Sequence, residues 1–227
     1  MHTAIQPAEP PAARASMADF AYASLHDMLL THRLPLDAPI SERHLAGELG
    51  ISRTPLREAL RRLEGEGLLA RLPGGLLAVK RIGVEDFLEV LQMRRLLEGE
   101  AAATAADAVA AGQVPAGILE ALRRRIVALL AAGGRPDAGR LAADLDLHRA
   151  IMAAAGNATL ARMLQDLRRR MMLFTPPRPP DSPERSCADY LAILDAVAAG
   201  DAAGARAAMV AHVDALRTGI LRRLASL

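Results

Sequence analysis

The sequence predicts a mostly α-helical protein in two parts: an N-terminal unit of three helices and one small β-hairpin, then an antiparallel all-helical bundle. Three observations predict it. Hydrophobic residues are 52% of the chain but aromatic residues only 2%, so the core must be assembled from Leu, Ile, Val, Met and Ala at helical spacing. Two short apolar runs flank Pro73-Gly74-Gly75, the punctuation of a tight hairpin. Beyond Gly83 the pattern changes to long helical stretches broken by GQVP, GGRPD, GN, PPRPPDSP and GD.

Each element has its own signal. Residues 1–16, rich in Pro, Ala and polar residues, read as a disordered tail without the apolar run of a signal peptide. Residues 17–32 place Phe20, Ala21, Leu25, Met28 and Leu29 on one helical face, and RLPLDAP stops that helix. Ser41 is the cap of a short second helix, in which Leu45, Ala46 and Leu49 turn inward before Gly50 ends it. Ser52 is the natural cap of the third, Pro55 fits its first turn, and Leu56, Ala59, Leu60 and Leu63 form the buried stripe, closed by Gly65 and Gly67. Helices follow near 84–111, 115–132, 137–155, 158–174, 183–199 and 202–225, which divides the chain into a tail, a unit over 17–82 and a bundle over 83–227.

Bulk properties exclude little about partners, because a net charge of +2 in 227 residues leaves only local clustering to be informative. Cys187 is the single cysteine and suits a reducing cytoplasm. Charged residues punctuate every helix, so no membrane span is expected. Catalysis is not expected either: Ser186 and Cys187 lack a placed base, and no Gly-rich phosphate loop follows a strand.

The third helix carries the clearest chemistry. In SRTPLREALRR, Arg53, Arg57 and Arg61 recur every four residues, on a face separate from the leucine stripe. Such segregation suits the second helix of a helix-turn-helix, whose outward face enters the DNA major groove. Arginine's fork can take guanine O6 and N7 together, and Ser52 and Thr54 stand where a helix start can meet phosphate. A merely solvated charged face is the competing reading.

Residues 35–80, PLDAPISERHLAGELGISRTPLREALRRLEGEGLLARLPGGLLAVK, closely resemble the winged helix-turn-helix of the GntR family of bacterial transcription regulators. The resemblance implies DNA contacts from Arg43, Ser52, Arg53, Thr54 and Arg57, with Gly74 and Gly75 bringing the wing tip to the minor groove. Residues 86–225 resemble the helical effector domain of the FadR subfamily, called FCD, through MRRLLEGEAAATAA, DLDLHRAIMAAAGNATL and YLAILDAVAAGDAAGARAAMVAHV.

That second resemblance implies a pocket for a small carboxylate effector, held in many such domains with a divalent metal on one aspartate and three histidines. Asp144, His148 and His212 match three ligand positions, and Tyr190 stands where the remaining histidine is expected, so an intact four-ligand site is not present. Phenol must lose a proton of pKa about 10 to bind a metal comparably, so Tyr190 could instead donate to the effector or fill the pocket. Zn, Ni or Mn on the three matched residues is one reading; a local Asp–His contact and a hydrogen-bonded core histidine is the other. Arg94 is implied as the effector's cation, and Arg168, Arg169 and Arg170 form a further cluster with no role assigned.

The expectation is a cytoplasmic, ligand-responsive regulator, on the nucleoid when bound, acting as a repressor and a homodimer on a palindromic double-stranded operator. The alternative is a metal-dependent small-molecule-binding protein or enzyme with a degenerate DNA-binding unit.

Overall fold

In a computed structural model of the chain, residues 16–30, 33–34, 38–131, 138–171, 173–174 and 183–225 are described. The expected tail, apart from Ser16, lies outside the described residues, as do the final residues of the expected first helix, the GGRPD break, and the PPRPPDSP break up to its last residue, Pro183. The chain divides into two compact units, Met1–Arg81 and Ile82–Leu227.

The first unit contains α1 (Met17–Leu30), α2 (Glu42–Leu49), α3 (Arg53–Gly65), β1 (Leu69–Arg71) and β2 (Leu77–Val79). Its core joins Ala21, Leu25, Met28 and Leu29 to Leu45, Leu56, Leu60, Leu63, Leu68 and Val79. Phe20 corrects the expected face: it is 48% exposed, while Ala18 is buried. The inward stripe runs 18-21-25-28-29, and Phe20 lies about 100° from Ala21, on the outer side. Leu49 is only half-buried.

Local chemistry fixes the helix-turn-helix. Ser41 accepts from the His44 amide, and Gly50 leaves α2 at φ 63°, with its N–H donating to the Ala46 and Gly47 carbonyls. Only a residue tolerating positive φ makes so short a link to α3. Ser52 occupies the N-cap position in extended conformation, but its hydroxyl makes no capping hydrogen bond. The strands pair antiparallel with Leu69 opposite Val79 and Arg71 opposite Leu77. Ile40 N–H donates to the Leu77 carbonyl at 2.7 Å, tying the chain before α2 to the hairpin.

The second unit is a helical bundle of α4 (Val84–Ala110), α5 (Ala116–Ala131), α6 (Ala138–Ala154), α7 (Ala158–Met171), α8 (Pro183–Ala198) and α9 (Ala202–Leu224). Alanine richness makes α4 its axis: Ala101, Ala102, Ala105 and Ala106 are buried in a core with Ile126, Leu147, Ile151, Leu164, Ile193 and Met209. Small side chains let α9 approach closely, and a Cβ on Gly99 would lie 3.0 Å from Val210 Cγ2. Near the start of α4, Phe87 stacks on Phe174 with ring centroids 3.9 Å apart. This arrangement leaves polar side chains of α4, α6, α7, α8 and α9 converging inside the bundle.

Candidate functional site

Two groups of side chains carry chemistry, one in each unit. In the first, Arg43, Ser52, Arg53, Thr54, Arg57, Gly74 and Gly75 are all exposed, as their expected role requires. Arg43 lines a shallow depression on α2 with Ser41, His44, Gly47 and Glu48. Arg53 and Arg57 are not independent, because Glu42 Oε2 lies 2.7 Å from Arg57 Nε and 3.6 Å from Arg53 Nη2. Among the described residues, Arg43 and Arg61 make no ion pair. Arg62 faces elsewhere, 2.8 Å from Asp19 and over the Tyr22 ring at 4.1 Å, so it secures α3 to α1. At the hairpin, Arg71 bonds the Gly75 carbonyl and pairs with Glu64, holding a tip in which Gly74 and Gly75 have φ of 95° and 82°.

The second group is built around Asp144 on α6. Its Oδ1 lies 3.4 Å from His148 Nε2, one turn on, and 3.7 Å from His212 Nε2 on α9. Tyr190 on α8 donates its hydroxyl to the same oxygen at 3.3 Å. Arg168, at the end of α7, donates to Oδ2 at 2.6 Å. Side chains from four helices therefore surround one carboxylate, Tyr190 and Arg168 as donors and the two imidazoles as close neighbours.

Glu98 on α4 is a second acceptor behind the first. Arg94 grips it with Nε at 2.7 Å and Nη2 at 3.0 Å, and gives Nη1 to Met171 Sδ. His148 Nδ1 is 3.0 Å from Glu98 Oε2, and Arg168 Nη1 is 3.6 Å from Oε1. Neither of these last two contacts is a hydrogen bond, the first by its angle and the second by its length: both His148 nitrogens and Arg168 Nη1 are buried without a directed partner. Buried polar atoms left in this way are uncommon and mark a place where a ligand could complete them.

Electrostatics follow from that packing. Burial pushes the Glu98 carboxyl up, but Arg94 and His148 outweigh it and hold the group well below the usual carboxylate range. The same opposition at Asp144, burial against Arg168, His148 and His212, also ends well below it. Burial pulls His212 down, yet Asp144 and Asp189 outweigh it and raise the imidazole to about 9. Asp189, beside Tyr190, is 3.9 Å from His212 Nδ1 and acts as its second carboxylate.

A divalent ion can be tested against this geometry. One atom each from Asp144, His148 and His212 lie within 4.8 Å of one another. Two donors about 2.1 Å from a tetrahedral ion are roughly 3.4 Å apart. The Asp144 distances match, and the unpaired His148 Nε2 has a lone pair to offer, so the donor set fits. Tyr190 differs from a fourth ligand: its hydroxyl is spent as a donor on Asp144.

Arg94, expected as the effector's cation, is 3% exposed and engaged on Glu98 and Met171. Its (i, i+4) spacing from Glu98 is an available sequence signal for that pairing. Of the arginine cluster, Arg168 faces inward with 15% of its side chain exposed, whereas Arg170 is exposed. Glu42, Glu98 and Arg168 are the participants that sequence reasoning did not place.

Comparison with known proteins covers both units. Residues 17–79 match the bacterial regulatory proteins of the gntR family, and residues 89–215 match the FCD domain. A Paenarthrobacter nicotinovorans protein named "Probable D-xylose utilization operon transcriptional repressor" is 35% identical over 186 residues, 81% of this chain and 79% of that protein. An HTH-type transcriptional regulator of Streptomyces ambofaciens is 30% identical over 210 residues, 88% of this chain and 84% of that one. The structure of E. coli McbR/YncC superposes with a TM-score of 0.73 at 22% identity, over 94% of this chain and 99% of that one, a likeness of fold.

Proposed function

The chain belongs to the GntR family of bacterial regulatory proteins and carries an FCD domain; from that premise we propose that it is a repressor whose operator affinity is set by a small organic acid bound in the α4–α9 bundle. That it is a transcriptional regulator follows from the family. Repression, the acid, the metal, dimerisation and the individual contacts are the proposal. Its setting is the bacterial cytoplasm, and no described helix is long and apolar enough to cross a membrane.

The observation that carries the effector reading is the buried Arg168 Nη1, without a directed partner, beside the convergence of Asp144, His148 and His212. A carboxylate oxygen is the natural acceptor for that N–H. Asp144, His148 and His212 would hold a divalent ion, which supplies a second, cationic anchor for the same ligand. Arg94 serves indirectly by keeping Glu98 charged, and Tyr190 orients Asp144 through its hydroxyl. The acid then shifts operator affinity by whatever it contributes differently in the two DNA-binding states.

On the DNA side, Arg53 and Arg57 on α3 enter the major groove, Arg43, Ser52 and Thr54 meet backbone phosphates, and the Gly74-Gly75 tip approaches the minor groove. Two such units on a palindrome account for a homodimer. Electrophoretic shift on the chain's own upstream DNA tests the whole: the complex is expected to form, to be lost with Arg53→Ala or Arg57→Ala, and to be released by an organic acid that also raises the unfolding temperature. A protein that binds that DNA no better than a scrambled duplex would defeat the reading.

A further inference from the structure

The contact between Glu42 and the two groove-facing arginines is not needed to fold the unit. The core beneath α2 and α3 is complete without it, and the arginine side chains are exposed by 61% and 52%, with Glu42 half-buried at 30%. An exposed ion pair of this kind adds little to stability. Its position is the informative feature: a carboxylate at the first residue of α2 lies beside the cationic stripe of α3, 2.7 Å from Arg57 Nε and 3.6 Å from Arg53 Nη2.

We infer that Glu42 is a specificity-determining positioning residue, one that orients Arg57 for a base edge while opposing indiscriminate capture of phosphate by Arg57 and Arg53. The inference rests on the reading of α3 as the DNA-contacting helix. Arg57 gives its Nε to Glu42 at 2.7 Å. A guanidinium held at Nε keeps both Nη groups directed outward, and that edge can meet the O6 and N7 of guanine. Orientation is thus set before DNA arrives.

Phosphate is treated differently. A guanine edge is neutral and directional, so it can be met with the Glu42 carboxylate still in place. A phosphate is an anion that satisfies arginine from almost any angle, and Glu42 both occupies Arg57 Nε and repels the phosphate. The carboxylate therefore lowers affinity for any duplex but lowers it least for the duplex presenting the right bases. Discrimination gained by penalising the wrong partner is a common route to specificity.

The experiment uses the full chain. A duplex is selected from a random library by the wild-type protein, and its dissociation constant is compared with that of a scrambled duplex across a salt series. For Glu42→Gln, scrambled-duplex affinity should rise by about tenfold at low salt and its salt slope should steepen by about one. Affinity for the selected duplex should change much less, so the ratio falls by about fivefold or more. In an Arg57→Ala background the Glu42→Gln effect should largely vanish, which a purely structural role for Glu42 would not produce. Should Glu42→Gln not fold, Glu42→Asp, which keeps the helix-start charge but withdraws it from Arg57, is read by the same ratio. An unchanged or larger ratio overturns the inference while leaving DNA binding intact. Failure of the wild-type chain to select any duplex overturns the assignment of α3, and the inference with it.

Discussion

Arg168 and Asp144 are joined at 2.6 Å through Nη2 and Oδ2, while the other oxygen of that carboxylate faces His148, His212 and Tyr190. Asp144 is therefore shared between an arginine and the two imidazoles, and the two oxygens divide the work. Arg168→Met should leave metal stoichiometry at Asp144, His148 and His212 unchanged but weaken organic-acid binding by about ten- to a hundredfold, the range of one charged hydrogen bond. Titration calorimetry on metal-loaded protein, with elemental analysis alongside, separates the two effects. Loss of metal with acid binding intact would reverse the assignment.

Glu98 is nearly inaccessible and balances Arg94, with His148 and Arg168 close by. Glu98→Gln leaves Arg94 charged and buried without a counter-ion, and should cost about 3–5 kcal/mol of stability. Replacing both, as Arg94→Met with Glu98→Leu, should recover most of that loss. Urea denaturation of the two variants beside wild type checks the pattern, and a Glu98→Gln midpoint equal to wild type would contradict it.

His212 makes the metal-free protein sensitive to alkali. Its pKa is raised from 6.5 to about 9 by Asp144 and Asp189 against the pull of burial. A raised folded-state pKa stabilises fully below about 6.5 and ceases to do so as pH climbs through about 9. Some 3 kcal/mol should disappear across that window, on the order expected from the difference. Denaturation of chelator-treated protein between pH 6 and 10 measures it; His212→Asn should remove that part of the slope. Asp144 and Glu98, with depressed pKa values, add an opposite loss as pH drops below the usual carboxylate range.

Neighbouring arginines on α3 should separate by role. Arg57→Ala should weaken operator binding by about tenfold or more with little change in melting temperature. Arg62→Ala should lower the melting temperature, because it loses Asp19 and the Tyr22 ring, while operator affinity measured well below that temperature stays near wild type. Matching effects of the two variants on DNA would mean that the stripe is not oriented as described.

Most of the fold was legible because Gly and Pro mark its joints: Gly50 and the break before Ala202 sit where the helices stop and start. Phe20 was misplaced because alanine can occupy either face, and here Ala18 and Ala21 take the inner one. The Asp144–His148 pair could be read from one-turn spacing, since a helix fixes local neighbours. Glu42 with Arg57, and Arg168 with Asp144, could not, because those pairs are 15 and 24 residues apart and depend on how helices cross. Arg94 and Glu98 fall between: the spacing was visible, but only burial reveals that the pair is closed on itself.

The hydrogen bond from Ile40 to Leu77 has a mechanical meaning. Ile40 immediately precedes the Ser41 cap, so a single peptide connects the β-hairpin to the start of α2. The hairpin that carries the Gly74-Gly75 tip and the first turn of α2 are thus tied through one hydrogen bond, so that tilting the hairpin should re-aim Arg43 as well. Effects on DNA affinity of separate substitutions in the hairpin tip and in the first turn of α2 should therefore fail to add, which a double-mutant cycle between Gly75 and Arg43 measures.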